Sequence, residues 1–230
     1  MGASFYSPAS QRRREIRTLW RTSEPRDILT GLLLVLVSFY LFRHPGQSQV
    51  YNASIPFVMI SAYLGILIVL QGRLELQDRC GAYFDMLPRS PEAAFDGKLA
   101  WYLLHATIFV AAIGLGCALK LGGADVTPVY RLHPEIVILP YATVPAALWF
   151  IHIPPTSNRA FDGIIAIALI GVVVVAHLVT LPESTAANNW MPARFMPLRV
   201  AFAIAAGLLA LTAWLAHRIR PEYRRMRALE

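Results

Sequence analysis

The sequence predicts an all-α, polytopic integral membrane protein. It has six transmembrane helices, cytoplasmic N- and C-termini, and an N-terminal amphipathic helix lying in the membrane interface. Three observations predict this. The 230 residues are 56% hydrophobic and only 15% charged, with a mean hydropathy of +0.49, whereas an ordinary soluble domain carries about 25% charged residues. The apolar residues form long charge-free blocks instead of amphipathic stripes. Lysine and arginine gather on alternate connections, the bias that sets the orientation of membrane helices.

Residues 1–27 are hydrophilic and basic. Ile16, Leu19 and Trp20 follow helical i, i+3, i+4 spacing, while Arg13, Arg17 and Arg21 recur every four residues on a neighbouring face. Such a helix lies flat in the interface, with its aromatic ring at the headgroups and its arginines on anionic lipid. The segment is too long and too rich in arginine for a cleavable signal peptide, so the first apolar block is expected to remain as an anchor.

Residues 28–217 form the membrane domain. The expected spans are 28–42, 55–71, 99–119, 136–153, 163–181 and 200–217. The first is the shortest and needs Arg43 or His44 to reach the far interface. Lys98 and Lys120 bound the third, and Lys98 is expected to anchor it at the inner headgroups. Pro140 and Pro145 are expected to kink the fourth or break it into pieces. Hydroxyls within spans, such as Ser38, Ser61, Thr107 and Thr143, are expected to bond back to helix carbonyls. Residues 218–230 form a basic cytoplasmic tail.

With the N-terminus inside, the cytoplasmic segments carry Arg12, Arg13, Arg14, Arg17, Arg21, Arg26, Arg73, Arg79, Arg89, Lys98, Arg159 and the five arginines of the tail. Only Arg43, Lys120, Arg131, Arg194 and Arg199 remain outside. This asymmetry accounts for the net charge of +7 without any nucleic-acid partner. Cys80 falls in a cytoplasmic loop and Cys117 near the far end of a span, so the two are not expected to pair.

Local catalytic signatures are missing. Gly97-Lys98 runs into leucine instead of the serine or threonine of a phosphate loop, and no HExxH, CxxC or GxSxG occurs. No metal site and no catalytic residue are assigned, and the chain is expected not to be an enzyme. Histidines within spans are functional candidates by default. His105 and His177, on separate spans, are the alternative ligands for a b-type haem. A membrane redox subunit working with haem or quinone is therefore one alternative reading, and a non-catalytic accessory subunit of a larger membrane complex is another.

The cytoplasmic connection 72–98 is the longest, and within it "DRCGAYFDMLPRSPEAAFDGKLA" resembles a loose signature. The signature is an acidic residue and a glycine, then a proline, a serine, and Gly-Lys before the third span. Asp78 and Gly81 match its start, Pro88 and Ser90 its middle, and Gly97-Lys98 its end. With the basic "RREIRTLWRTSEPRDILTGLLLVL" leading into the first span, the chain is similar to the permease subunits of type 2 ATP-binding-cassette (ABC) exporters, including small haem-exporter-like members. Cys80, Ala82 and Pro91 depart from the family's common residues, and the short outer loops lack the large extracellular domain of many exporters.

The resemblance implies a multi-pass subunit of the bacterial inner membrane. It would pair with a second copy or a homologous permease and with a cytoplasmic ATP-binding subunit that holds the ATP and magnesium. It would need no cofactor of its own. In such a loop Tyr83, Phe84, Met86 and Leu87 supply an apolar anchor for the ATPase, with Arg79 and Arg89 at its rim. Pro88 ends a short coupling helix, and Ser90 caps the next one with Pro91 at its first position.

Overall fold

The computed structural model describes residues 25–41, 49–77, 91–121, 127–152 and 197–229, together with Ser10, Arg13, Ile16 and Arg17. The described residues are all-helical apart from short connections. The elements are α1 (Pro25–Leu41), α2 (Gln49–Gln77), α3 (Pro91–Ala118), α4 (Thr127–Leu132), α5 (Pro134–His152) and α6 (Leu198–Leu229).

Among the described residues, four stretches are long and apolar enough to cross a membrane: Asn52–Gln71, Phe95–Ala118, Pro134–Ile151 and Leu198–Pro221. Helix α1, with 17 residues, reaches about 26 Å at ~1.5 Å per residue, just short of a ~30 Å hydrocarbon core. The expected span 163–181 lies outside the described residues.

Local chemistry sets the helix ends. α1, α3 and α5 each open on proline, with Asp27, Glu92 and Glu135 in their first turns. Proline at that position gives up only an N–H that has no helical partner, and the acid faces the positive end of the macrodipole. α3 closes in a Schellman motif: Leu121 N–H bonds Gly116 C=O and Lys120 N–H bonds Cys117 C=O, both at 2.9 Å. Lys120 takes the left-handed position, with φ of 54°, where glycine is the usual residue.

Of the two outcomes expected at Pro140 and Pro145, a kink or a break, the break does not occur: α5 runs through both as one helix. Helices also reach well into the polar connection 72–98, since α2 ends only at Gln77 and α3 already starts at Pro91. Gly97 and Lys98 therefore lie in the second turn of α3.

Cross-helix contacts give each helix its direction. Asp27 of α1 meets Gln71 of α2 at 3.2 Å, and Gln71 meets Tyr102 of α3 at 2.5 Å. Further along, Tyr63 of α2 packs edge-on to Phe109 of α3, with ring centroids 6.0 Å apart. α2 thus runs opposite to α1 and α3. Phe57 of α2 packs on Tyr130 of α4 at 5.3 Å, and Gly65 lies level with Thr143, so α5 runs with α2. Trp214 of α6 stacks on Trp149 of α5 at 6.3 Å, and Arg220 pairs with Asp96 of α3 at 2.6 Å. α6 therefore runs with α2 and α5.

Lipid tails are as apolar as leucine, so membrane helices associate by close fit and hydrogen bonds more than by excluding water. α1 shows both faces. Leu29, Leu33, Leu36 and Tyr40 are exposed, while Gly31, Val35, Ser38 and Phe39 are buried. Gly31 receives the ring of Phe109, and Gly116 receives the ring of Phe39. These two reciprocal notches lock α1 beside α3. Ser38, Ser61, Thr107 and Thr143 bond the carbonyls of Val35, Phe57, Leu103 and Leu139 at 2.6–2.9 Å, as the sequence predicts.

Candidate functional site

The bundle end holding Asp27, Gln71, Asp96 and Arg220 is where α2 and α3 lead to and from residues 78–90. Both helices outrun their apolar windows. α2 continues from Gln71 to Gln77, and α3 begins at Pro91, ahead of Phe95. The overhangs are about 9 Å and about 6 Å at ~1.5 Å per residue.

The base of α3 is held firmly. Ala93, Phe95, Gly97 and Trp101 are buried, whereas Asp96 and Lys98 are half-buried. The Arg220 guanidinium donates to Asp96 Oδ1 at 2.6 Å, which ties α6 to α3. A polar brace joins the other helices at this end. Gln71 Nε2 donates to the Asp27 carboxylate, Tyr102 O–H donates to Gln71 Oε1, and Tyr63 O–H donates to the Asp27 backbone carbonyl at 2.6 Å. In a hydrocarbon setting an unmatched partner in such a chain is costly, so the brace specifies one packing of α1, α2 and α3.

His105 follows on α3. Its ring is 1% exposed, Nδ1 lies 3.0 Å from the Trp101 carbonyl, and the ring centroid is 4.4 Å from that of Trp101. Tyr102 and Phe109 complete an aromatic collar at 6.5 and 6.2 Å. Its proposed counterpart, His177, lies outside the described residues.

Asp78, Arg79, Gly81, Tyr83, Phe84, Met86, Leu87, Pro88, Arg89 and Ser90 also lie outside them, as do Leu19, Trp20 and Arg21. Beside them, α3 starts at Pro91, and at the N-terminus Arg13 and Arg17 are helical and exposed while Ile16 is helical and half-buried.

The opposite end carries groups that the sequence reading passed over. His133 is fully buried between α4 and α5, and its Nδ1 lies 2.8 Å from Glu135 Oε1. Nearby, the Cys117 thiol donates to the Tyr130 hydroxyl oxygen at 3.6 Å. Burial, followed by the adjacent Cys117, pushes the Tyr130 phenol well above its ordinary value of 10.0. The signal in the sequence is "HPE", an acid in the first turn of a helix with a histidine just before its proline. Among the described residues, no three His, Cys, Asp or Glu side chains group closely enough to hold a metal ion.

Comparison of the chain with models of protein families, with characterised proteins and with solved structures gave no match. The functional reading therefore rests on the chain's own residues.

Proposed function

We propose that this chain is the permease subunit of an ABC exporter, a membrane component that moves substrate with ATP hydrolysed by a separate cytoplasmic subunit. The ATPase docks on residues 78–90 through Tyr83, Phe84, Met86 and Leu87, rimmed by Arg79 and Arg89. The chain works with a second copy or a homologous permease in the bacterial inner membrane. It supplies no catalytic residue and no cofactor.

The observation that carries this reading is mechanical continuity. α2 arrives at the loop and α3 leaves it as uninterrupted helices of 29 and 28 residues. Both overhang the apolar windows, so a partner can reach the loop and push on it. A push there is passed along α3, through Asp96 to α6, and through Tyr102 and Gln71 to α2 and α1. An ordinary topogenic loop needs neither the overhang nor the cross-ties.

Helix direction supports the six-span arrangement with both termini in the cytoplasm. α5 and α6 run the same way, so a chain leaving α5 at His152 has to regain the opposite end before Leu198. The apolar block 163–181 has the length for that crossing. Arginines concentrated at the end bearing the loop support a cytoplasmic position for that end.

The test is affinity purification of the full-length protein from its native membrane. A nucleotide-binding subunit should accompany the wild type and be lost on Phe84→Glu combined with Leu87→Glu. Recovery of none with the wild type, or of equal amounts with the variant, rejects the proposal.

A further inference from the structure

The last helix does not stop where the membrane does. α6 is a single helix of 32 residues, Leu198–Leu229, of which only Leu198–Pro221 is apolar enough to span. At ~1.5 Å per residue the whole helix is about 48 Å long, against ~30 Å of hydrocarbon.

Two contacts mark where the surplus lies. Partly exposed Trp214 stacks on Trp149 at 6.3 Å, and Arg218 sits 5.9 Å above the Trp214 ring. A tryptophan with a cation one turn beyond it is the pattern of the headgroup region. Arg224, Arg225 and Arg227 then fall about 9 to 14 Å further along the axis, past a headgroup layer only ~5–7 Å deep. Pro221 fits this placement. It withholds an N–H from the His217 carbonyl, and at the interface water replaces that donor.

The extension is strongly cationic. Residues 218–230 carry Arg218, Arg220, Arg224, Arg225 and Arg227 against Glu222 and Glu230. By register, Arg220, Arg224 and Arg227 share one side of the helix, and Arg218 and Arg225 share another. A helix made for anionic lipid lies flat with its cations in the headgroups. One that runs on unbroken past its span, as α6 does to Leu229, carries these positions beyond the headgroups. The Asp96–Arg220 pair places its base beside that of α3, at the same end as residues 78–90.

We infer that residues 222–229 form a docking arm for an acidic polypeptide surface, a protein contact distinct from residues 78–90 and independent of what binds there. The test uses the full chain in phosphatidylcholine nanodiscs, with an oligoglutamate peptide as probe. A nitroxide is carried on Ala228→Cys in a background of Cys80→Ser and Cys117→Ser.

The nitroxide should be equally accessible to a water-soluble relaxant with and without phosphatidylglycerol. The peptide should bind about tenfold more weakly when Arg224, Arg225 and Arg227 are changed together to glutamate, as the loss of three ion pairs of about 0.5 kcal/mol each implies. The milder change of all three to glutamine should weaken binding less. Removing exposed Arg131 and Arg199, away from the arm, should leave it unchanged. A label drawn into the bilayer by phosphatidylglycerol would assign the arm to lipid, and peptide binding insensitive to the charge changes would remove the docking role. Either result overturns the inference.

Discussion

Asp96 and Arg220 lie 124 residues apart in sequence and meet at 2.6 Å, with side-chain exposures of 15% and 47%. The contact joins the first turns of α3 to the last helix at the end where residues 78–90 enter the bundle. Because Arg220 is half in water, the pair is expected to contribute only about 0.5–1 kcal/mol. Asp96→Asn and Arg220→Gln should each lower thermal stability slightly. The double variant should cost less than the sum, and the exchanged pair Asp96→Arg with Arg220→Asp should recover most of the loss. A double-mutant cycle in detergent measures this coupling, and strict additivity would mean that the two residues do not interact.

The two glycine notches give a sharper contrast. A methyl group at Gly31 meets the fully buried ring of Phe109, and one at Gly116 meets the buried ring of Phe39, whereas nothing lies within 4 Å of one at Gly114 or Gly207. Gly31→Ala and Gly116→Ala should each cost about 1–3 kcal/mol by overpacking. Gly114→Ala and Gly207→Ala should be neutral or slightly stabilising. Shortening the intruding ring with Phe109→Leu should rescue Gly31→Ala, and unfolding in a denaturing-detergent titration reads all five variants.

Lys120 holds a backbone conformation suited to glycine, with φ of 54°. Left-handed geometry costs an L-residue about 1–2 kcal/mol, part of which glycine returns through its greater freedom when unfolded. Lys120→Gly should therefore stabilise the protein by about 0.5–1 kcal/mol, read as a rise in melting temperature. A fall would show that the lysine's charge at the helix end outweighs the strain.

Tyr130 gives a pH signature. Its phenol is raised in the folded protein, chiefly by burial, from an ordinary value of 10.0. The unfolded chain therefore releases this proton first. The contribution is complete below about pH 10 and is lost as pH rises from there toward the folded value. Tyr130→Phe keeps the ring against Phe57 and should flatten the alkaline loss of stability without affecting melting near neutrality. A wild type and a variant with parallel alkaline profiles would contradict this.

Much of the fold is readable from hydropathy. The apolar blocks at 55–71 and 200–217 lie on helices of spanning length, 99–119 and 136–153 do so largely, and 28–42 lies largely on α1. What hydropathy cannot show is how far a helix runs past its apolar window. α2 continues over Gly72–Gln77 and α6 over its arginines because helical hydrogen bonding, once nucleated, is indifferent to side-chain polarity. Pro140 and Pro145 read as a kink or a break, and α5 continues through both as one helix.

The cross-ties were hidden for another reason. Asp27, Gln71 and Tyr102 are separated by 44 and 31 residues, and no local pattern says that three such polar groups will meet. No local pattern marks Gly31 and Gly116 as the notches that Phe109 and Phe39 fill. His133 and Glu135 are near neighbours in sequence and were in principle recoverable.

The central claim is that a nucleotide-binding partner seats on residues 78–90 and works through α2 and α3. Photocross-linking in living cells tests it most directly, with a photoreactive phenylalanine at Leu87 and, as a control at the other end of the bundle, at Leu198. The expected result is an adduct between the Leu87 variant and a nucleotide-binding protein, with none from the Leu198 variant. No such adduct from Leu87, or equal adducts from both positions, would contradict the account.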